Sequence, residues 1–282
     1  MKNYKIFIFS MAVALFASCS KDDSSGSGSS ATPVVVDNTP ISGQFQKRVL
    51  IEDYTGTWCG WCPRVAYGIG KVYDQTTKAV AVAIHQKSGS TDPFDYPAAS
   101  PLVSQINLQG YPTGMLNRTV EWSYPENSNT GQVKNLILNN VGLGLAMNST
   151  VAAGNINLDV KIKFAKDYTG LKLVVYVLED NLYYNQTNYT SNLYGSGTVS
   201  PLVSFKHDHV LRANLTDILG DAITESTITG QTITKNFSVP VPANISNVAN
   251  MSFVAFVIGT DKKAINVRAA ATGEDQTFEQ NP

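Results

Sequence analysis

The chain has 282 residues, 43% hydrophobic and 15% charged, with a formal net charge of −1. That composition suits a globular protein with a sizeable core, and so balanced a charge argues against broad nucleic-acid binding. The longest apolar run, residues 6–16, has 11 residues, whereas a bilayer-spanning helix needs about 20, so no helical membrane span is expected.

Lys2 and Lys5 precede that run and Ala17-Ser18-Cys19 follows it. A charged start, a short greasy middle and a small-residue exit make residues 1–18 an expected export signal. The segment Leu15-Phe16-Ala17-Ser18-Cys19 resembles a bacterial lipobox, in which Cys19 becomes the lipidated first residue of the mature chain. The alternative is an ordinary signal peptide with a chance cysteine. Removal of the signal takes the net charge to −3, with 19 Lys+Arg left against 22 Asp+Glu. Residues 19–46 then read as the lipidated cysteine and a flexible linker, Ser/Gly-rich over 20–32. Ser20-Lys21-Asp22-Asp23 resembles a short signal for the outer face of the outer membrane, although a solvated linker has the same composition. An outer membrane lipoprotein is expected, on the cell surface or the periplasmic face.

From 47 to 147, strand-like and helix-like stretches alternate, the signature of an α/β sheet. A buried strand is expected at 49–54. A helix is expected over 59–76, where Val65, Ile69, Val72 and Tyr73 recur every three to four residues. Residues 79–84 are an unbroken apolar run of strand length. A helix follows near 98–106, a strand at 115–122 and a helix over 132–141, with Val133, Leu136, Ile137 and Val141 on one face. After about Asn148 the period changes. Ile156, Leu158, Val160, Ile162 and Phe164 alternate strictly, as do Leu171, Leu173, Val175 and Val177 beyond a turn at Asp167–Gly170. Further strands are expected near 205–212, 232–239, 251–258 and 264–271. Residues 148–282 thus read as an antiparallel β-sandwich domain. The expected fold class is α/β followed by all-β.

Cys59 and Cys62 are the two cysteines left besides Cys19. A bridge between residues three apart closes a tiny loop and stabilises little. Zinc would need a second pair of ligands, and covalent haem would want His where Pro63 stands. No metal and no bound cofactor are expected, and redox chemistry remains. At a helix start, unpaired N–H groups stabilise a thiolate. Cys59 is then the exposed nucleophile and Cys62, on the same helix face, the resolving thiol.

The surroundings of the pair resemble the thioredoxin-like superfamily. In that superfamily an acidic residue often lies six positions before the first Cys, buried beneath the second. Here it is Asp53 in LIEDYTGTWCGWC, which the resemblance makes the proton acceptor for Cys62. Glu52 points to the other strand face. Trp58 matches the aromatic that commonly precedes the pair, and Trp61 places a large ring beside it. Gly110-Tyr111-Pro112-Thr113 matches the segment whose proline adopts a cis bond facing the cysteines, and Pro112 lies 53 residues after Cys59. Trp58, Trp61, Tyr111, Pro112 and Thr113 are the implied substrate-binding set, with the Tyr111 backbone offering an edge to an extended peptide. A lipobox, a linker, a TGTWCGWCPR motif and a C-terminal β domain together resemble the outer membrane protein 28 family of Gram-negative lipoproteins.

The expected function is a lipid-anchored extracytoplasmic thiol–disulfide oxidoreductase acting on protein thiols or disulfides, its electron donor unspecified. The competing expectation is a cell-surface binding protein or adhesin in which the Cys pair is not catalytic. His85, leaving a buried strand, reads as structural. His207 and His209 share a strand face in this reading, without an evident third ligand.

Overall fold

The computed structural model describes residues 38–282 apart from 90, 191 and 196–199. The expected signal, Cys19 and the 20–32 tether lie outside the described residues. The first half holds β1 (Phe45–Lys47), β2 (Val49–Thr55), α1 (Pro63–Tyr73), β3 (Ala79–His85), α2 (Ser100–Gln105), β4 (Thr113–Leu116), β5 (Val120–Glu121), α3 (Thr130–Lys134) and β6 (Leu138–Val141). The second holds β7 (Leu143–Ala152), β8 (Asn155–Phe164), β9 (Lys172–Glu179), β10 (Leu182–Gln186), β11 (Leu202–His207) and β12 (Val210–Asn214). It ends with β13 (Asp221–Ala222), β14 (Thr232–Pro240), β15 (Met251–Ile258) and β16 (Ala264–Ala271).

Strands dominate and form several sheets. The largest runs β16-β15-β9-β12-β3-β2-β4-β5, with β13 beside β9, and a second runs β14-β8-β7. Ribbons β1-β6 and β10-β11 complete the set. Strands β2 and β3 are parallel, with Ile51 opposite Ala81, and are buried along their whole length. Burial on both faces is why 79–84 is apolar without interruption. Parallel neighbours require a crossover, which α1 supplies, with Pro63 in its first turn where no N–H donor is needed. Strands β7 and β8 are joined by Ala153-Gly154, both at positive φ (49° and 75°), the conformation a two-residue hairpin needs.

One face of the large sheet carries a core that crosses both halves. Leu50, Tyr54 and Val82 pack with Val174, Tyr176 and Phe256, under Leu102 of α2. The other face is divided. Val65 and Ile69 of α1 pack with Ile51 and Trp122, while Leu145, Leu158 and Ile162 of the small sheet pack on Val175, Val177 and Phe253. No helix among the described residues is long and apolar enough to cross a membrane.

The boundary expected between 147 and 148 falls inside β7, and residues 38–282 form one compact unit. The change of period there marks where α-helices cease and strand follows strand, and the sheet itself continues through β12, which lies parallel to β3. Phe45, within the expected linker, is fully buried and bridges Gln280, so the C-terminal residues close over β1. Three elements differ from their expected form. The 132–141 helix stops at Lys134, and Leu138–Val141 pairs with β1 instead. So short an apolar run fits either period, and the available partner strand decides. The 115–122 strand breaks at Asn117 and Arg118, both at positive φ. The 205–212 strand breaks at His209 (φ 60°), so β11 and β12 are separate.

Candidate functional site

Cys59 and Cys62 form a disulfide with Cα atoms 5.4 Å apart. Cys62 is the N-cap of α1, so the helix starts later than its apolar period suggests, and Cys59 sits in the turn before it. That turn is held by the Cys59 N–H donating to Gly56 O (3.0 Å) and the Cys62 N–H to Cys59 O (3.2 Å). The Arg64 and Val65 N–H groups are taken by Trp61 O (3.2 Å) and Cys62 O (3.1 Å), so what favours a thiolate on reduction is the position of the pair at the positive end of α1.

Cys59 was expected at an exposed tip, yet it is 5% exposed and Cys62 1%. Gln186 at the end of β10, with Thr187, Tyr189 and Tyr194 after it, closes over the turn that carries them. Gln186 donates from Nε2 to Gly56 O (3.2 Å) and Cys59 O (2.9 Å). The Thr187 N–H reaches Thr57 O (2.9 Å) and the Tyr189 N–H reaches Gly60 O (2.7 Å). Tyr189 meets Trp61 edge-on at 5.7 Å, and Tyr194 OH donates to Pro63 O (2.8 Å). Gly60 is needed for this fit, because a Cβ there would lie 2.3 Å from the Tyr189 ring. Gly60→Ala is therefore expected to displace Tyr189 and speed reduction of the disulfide by dithiothreitol several-fold. Stopped reactions quantified by thiol labelling measure this, and an unchanged rate would mean that Tyr189 does not shield the bond.

The other expected residues converge on the same end of the sheet. Strand β4 runs antiparallel to β2, placing Thr113 opposite Tyr54 and Gly114 opposite Asp53. The Tyr111–Pro112 bond just before it is cis. Trp58 meets Tyr111 edge-on at 5.4 Å and donates its indole N–H to Gln86 O (2.8 Å), while Thr113 Oγ1 donates to Gly110 O (2.9 Å). Trp61 stays half exposed. Asp53 is 2% exposed, with Oδ1 lacking a hydrogen-bond partner among the described residues. Burial pushes its carboxyl well above the usual range, the Glu126 charge adds to this, and Arg64 partly offsets it.

Asp53 and Cys62 both line a cleft of about 940 Å³ between α1 and the β10–β11 ribbon, floored by β3. His207, 6% exposed, and His209 both line it, with His209 paired to Asp180 at 3.2 Å. His85 Nδ1 lies 3.0 Å from Asp92, whose carboxylate also accepts the Thr57 N–H (2.7 Å) and so supports the turn before the cysteines. Burial would raise the Asp92 carboxyl, but His85 and the N–H groups of Thr57 and Phe94 hold it below the usual range. Sequence reasoning missed Asp92, Gln186, Tyr189, Tyr194 and the placement of His207. The last four lie more than a hundred residues from the Cys pair, where no local pattern points back to it. Cys19 lies outside the described residues.

The family model described as "Outer membrane protein Omp28" matches residues 99–276, which include Pro112 and Gln186 but not Asp53, Cys59 or Cys62. Among solved structures, HBP35 of Porphyromonas gingivalis is 19% identical with a TM-score of 0.64, over 83% of this chain and 78% of that one. That likeness shows the fold alone. A domain of the outer membrane lipoprotein Omp28 from Porphyromonas gingivalis is 20% identical over 48% of this chain and 96% of that one, with a TM-score of 0.29. No curated protein matches. With well over half of its length matched, the chain belongs to the Omp28 family of outer membrane proteins.

Proposed function

We propose that this protein is a lipid-anchored extracytoplasmic thiol–disulfide oxidoreductase whose first half is a thioredoxin-like unit. The observation that carries the reading is the disulfide at the start of α1 with the Asp53 carboxyl buried in the cleft that Cys62 lines. The strand order β3-β2-β4-β5, with α1 crossing between parallel β2 and β3, supports the thioredoxin-like reading. The edge beyond β3 is filled by β12 from the second half.

In the oxidised state a substrate thiolate attacks Cys59 Sγ. The S–S bond breaks, a mixed disulfide forms, and Cys62 leaves as a thiolate that takes the proton held on Asp53. A second substrate thiol attacks the mixed disulfide and leaves the substrate oxidised and Cys59 reduced. Two electrons and two protons pass to the pair. Run in reverse, the same steps reduce a substrate disulfide, with a protein dithiol as electron donor. Trp61 and Tyr111 flank the pair, and the stretch from Gln186 to Tyr189 has to move for a protein substrate to reach Cys59.

The expected result is that purified protein accelerates insulin reduction by dithiothreitol and that Cys59→Ser brings the rate to background with an unchanged melting temperature. So small a disulfide loop contributes little stability. Cys62→Ala should accumulate a mixed disulfide with substrate. Full activity in Cys59→Ser would remove the assigned nucleophile. The second reading, a surface binding protein with an uncatalytic Cys pair, is favoured by the near-complete burial of both sulfurs and by a family match that begins after them. Its signature is partner binding that is indifferent to both substitutions.

A further inference from the structure

The turn around the disulfide presents a row of carbonyls, and one short strap of the chain donates to all of them. The Thr187 and Tyr189 N–H groups donate to Thr57 O and Gly60 O, and Gln186 Nε2 donates to Gly56 O and Cys59 O. Backbone donors two residues apart on one side are the spacing of an extended chain. The intervening Asn188 N–H goes to Ser200 Oγ instead (3.0 Å). The Tyr189 ring completes the contact. It lies against Gly60, where no Cβ would fit, and meets the exposed Trp61 ring edge-on.

Several features make this a place for a second chain rather than a fixed part of the core. The strap continues β10, and β10 and β11 form a two-stranded sheet joined to no other strand among the described residues. A ribbon of two strands is marginally stable alone, and its end can leave the turn without unpairing a larger sheet. While the strap lies there, Cys59 is 5% exposed and closed to an attacking thiol. Tyr189 and Trp61 both stay exposed, so their meeting adds little to the core. Carbonyls only accept, so whatever replaces the strap must bring N–H groups at the same spacing. An anion does not, and an extended polypeptide does. None of these contacts involves Tyr111 or Pro112, so this face is additional to the edge beside the cis proline.

We propose that Gln186–Tyr189 holds the position of a substrate, an extended polypeptide segment with an aromatic side chain that displaces the strap and reacts with the disulfide. The inference rests on the oxidoreductase reading and adds to it the class of substrate and the means by which the site is kept closed. Two substrate N–H groups replace those of Thr187 and Tyr189, and the substrate ring replaces Tyr189 on Gly60 and Trp61. The substrate thiolate attacks Cys59 Sγ, the S–S bond breaks, and Cys62 leaves as a thiolate and is protonated. A second substrate thiol then displaces Cys59, so the substrate loses two electrons and two protons and the pair gains them.

Three acetylated, amidated peptides test this. The first is Gln-Thr-Cys-Tyr, with Cys in the place of Asn188, whose neighbours reach Thr57 and Gly60 on either side of Cys59. The second has Ala for the Tyr, and the third has N-methyltyrosine, which lacks that N–H. Reduction of the wild-type disulfide is followed by thiol labelling, each rate being divided by that of the same peptide with oxidised glutathione to remove intrinsic thiol reactivity. The Tyr peptide should react about fivefold faster than either of the others, the effect of one aromatic pair or one backbone hydrogen bond. Tyr189→Ala should speed all three several-fold, and Trp61→Leu should abolish the difference between the Tyr and Ala peptides. Both side chains are exposed, so neither change disturbs the core. The ratios come from single exchange reactions and are obtained whether or not insulin is turned over. Background insulin reduction marks the failure of the oxidoreductase reading, whereas equal rates for the three peptides would overturn this inference alone. So would rates unaltered by Tyr189→Ala, or a preference for the Tyr peptide that survives Trp61→Leu.

Discussion

Arg118→Met is expected to destabilise the protein by about 3–5 kcal/mol, the cost of leaving one member of a buried ion pair uncompensated. Arg118 and Glu52 are both 0% exposed and lie 2.8 Å apart. The guanidinium also donates to Tyr176 OH (2.6 Å) and lies over the Phe256 ring at 4.7 Å. It leaves the turn between β4 and β5 and reaches β9 and β15, so one side chain joins the two halves of the sheet. For a body of this size the loss corresponds to a melting temperature lower by roughly 6–20 °C. The double variant Arg118→Met with Glu52→Met should recover most of it, because an apolar pair replaces a desolvated ionic one. Thermal melts of the three proteins check this. Equal stability of Arg118→Met and the wild type would show that the pair does not hold the halves together.

Asp53→Asn should do the opposite. A carboxyl with its folded-state pKa raised binds its proton more tightly in the native than in the unfolded chain, where the value is about 3.9. Between the two values the native state holds more protons, so stability falls as pH rises. The contribution is fully present below pH ~3.9 and is lost as pH climbs through the raised value. Asn has no charge to bury. The variant should therefore exceed the wild type by about 1–3 kcal/mol at pH 8, roughly 2–12 °C in melting temperature, and converge on it towards pH 4. In the proposed mechanism the same change removes the proton donor to Cys62 and slows disulfide exchange by about 10²-fold or more. Melts at pH 4, 6 and 8 test the first part. A constant difference across them would mean that Asp53 does not titrate as buried.

Much of this was legible one stretch at a time. The strands 251–258 and 264–271 were read with their observed bounds, because β15, buried on both faces, is an almost unbroken apolar run of strand length and its neighbour β16 is mostly apolar too. Strands β2 and β3 and the Cys pair before a proline-started helix are equally local. The 132–141 helix failed for the same reason that the others succeeded. Period is a property of one segment, and Leu138–Val141 took its structure from β1, some ninety residues earlier. A boundary near Asn148 was drawn from a real change of pattern, yet pattern reports how a strand is buried and not which sheet it joins.

The sequence by itself determined the chemistry on offer: a lone Cys pair three apart, an aspartate six residues before it, a proline that can bend the chain near both, and an apolar period for nearly every strand. Tertiary structure alone decided how that chemistry is enclosed. Strand β12 beside β3, Arg118 reaching Glu52 and Tyr176, Gln186 and Tyr189 lying over the disulfide, and His207 facing the cleft are all contacts between distant residues. Such contacts leave no period in the chain, because hydrogen-bond and packing partners are chosen by three-dimensional proximity, and local order constrains only neighbours within a few residues.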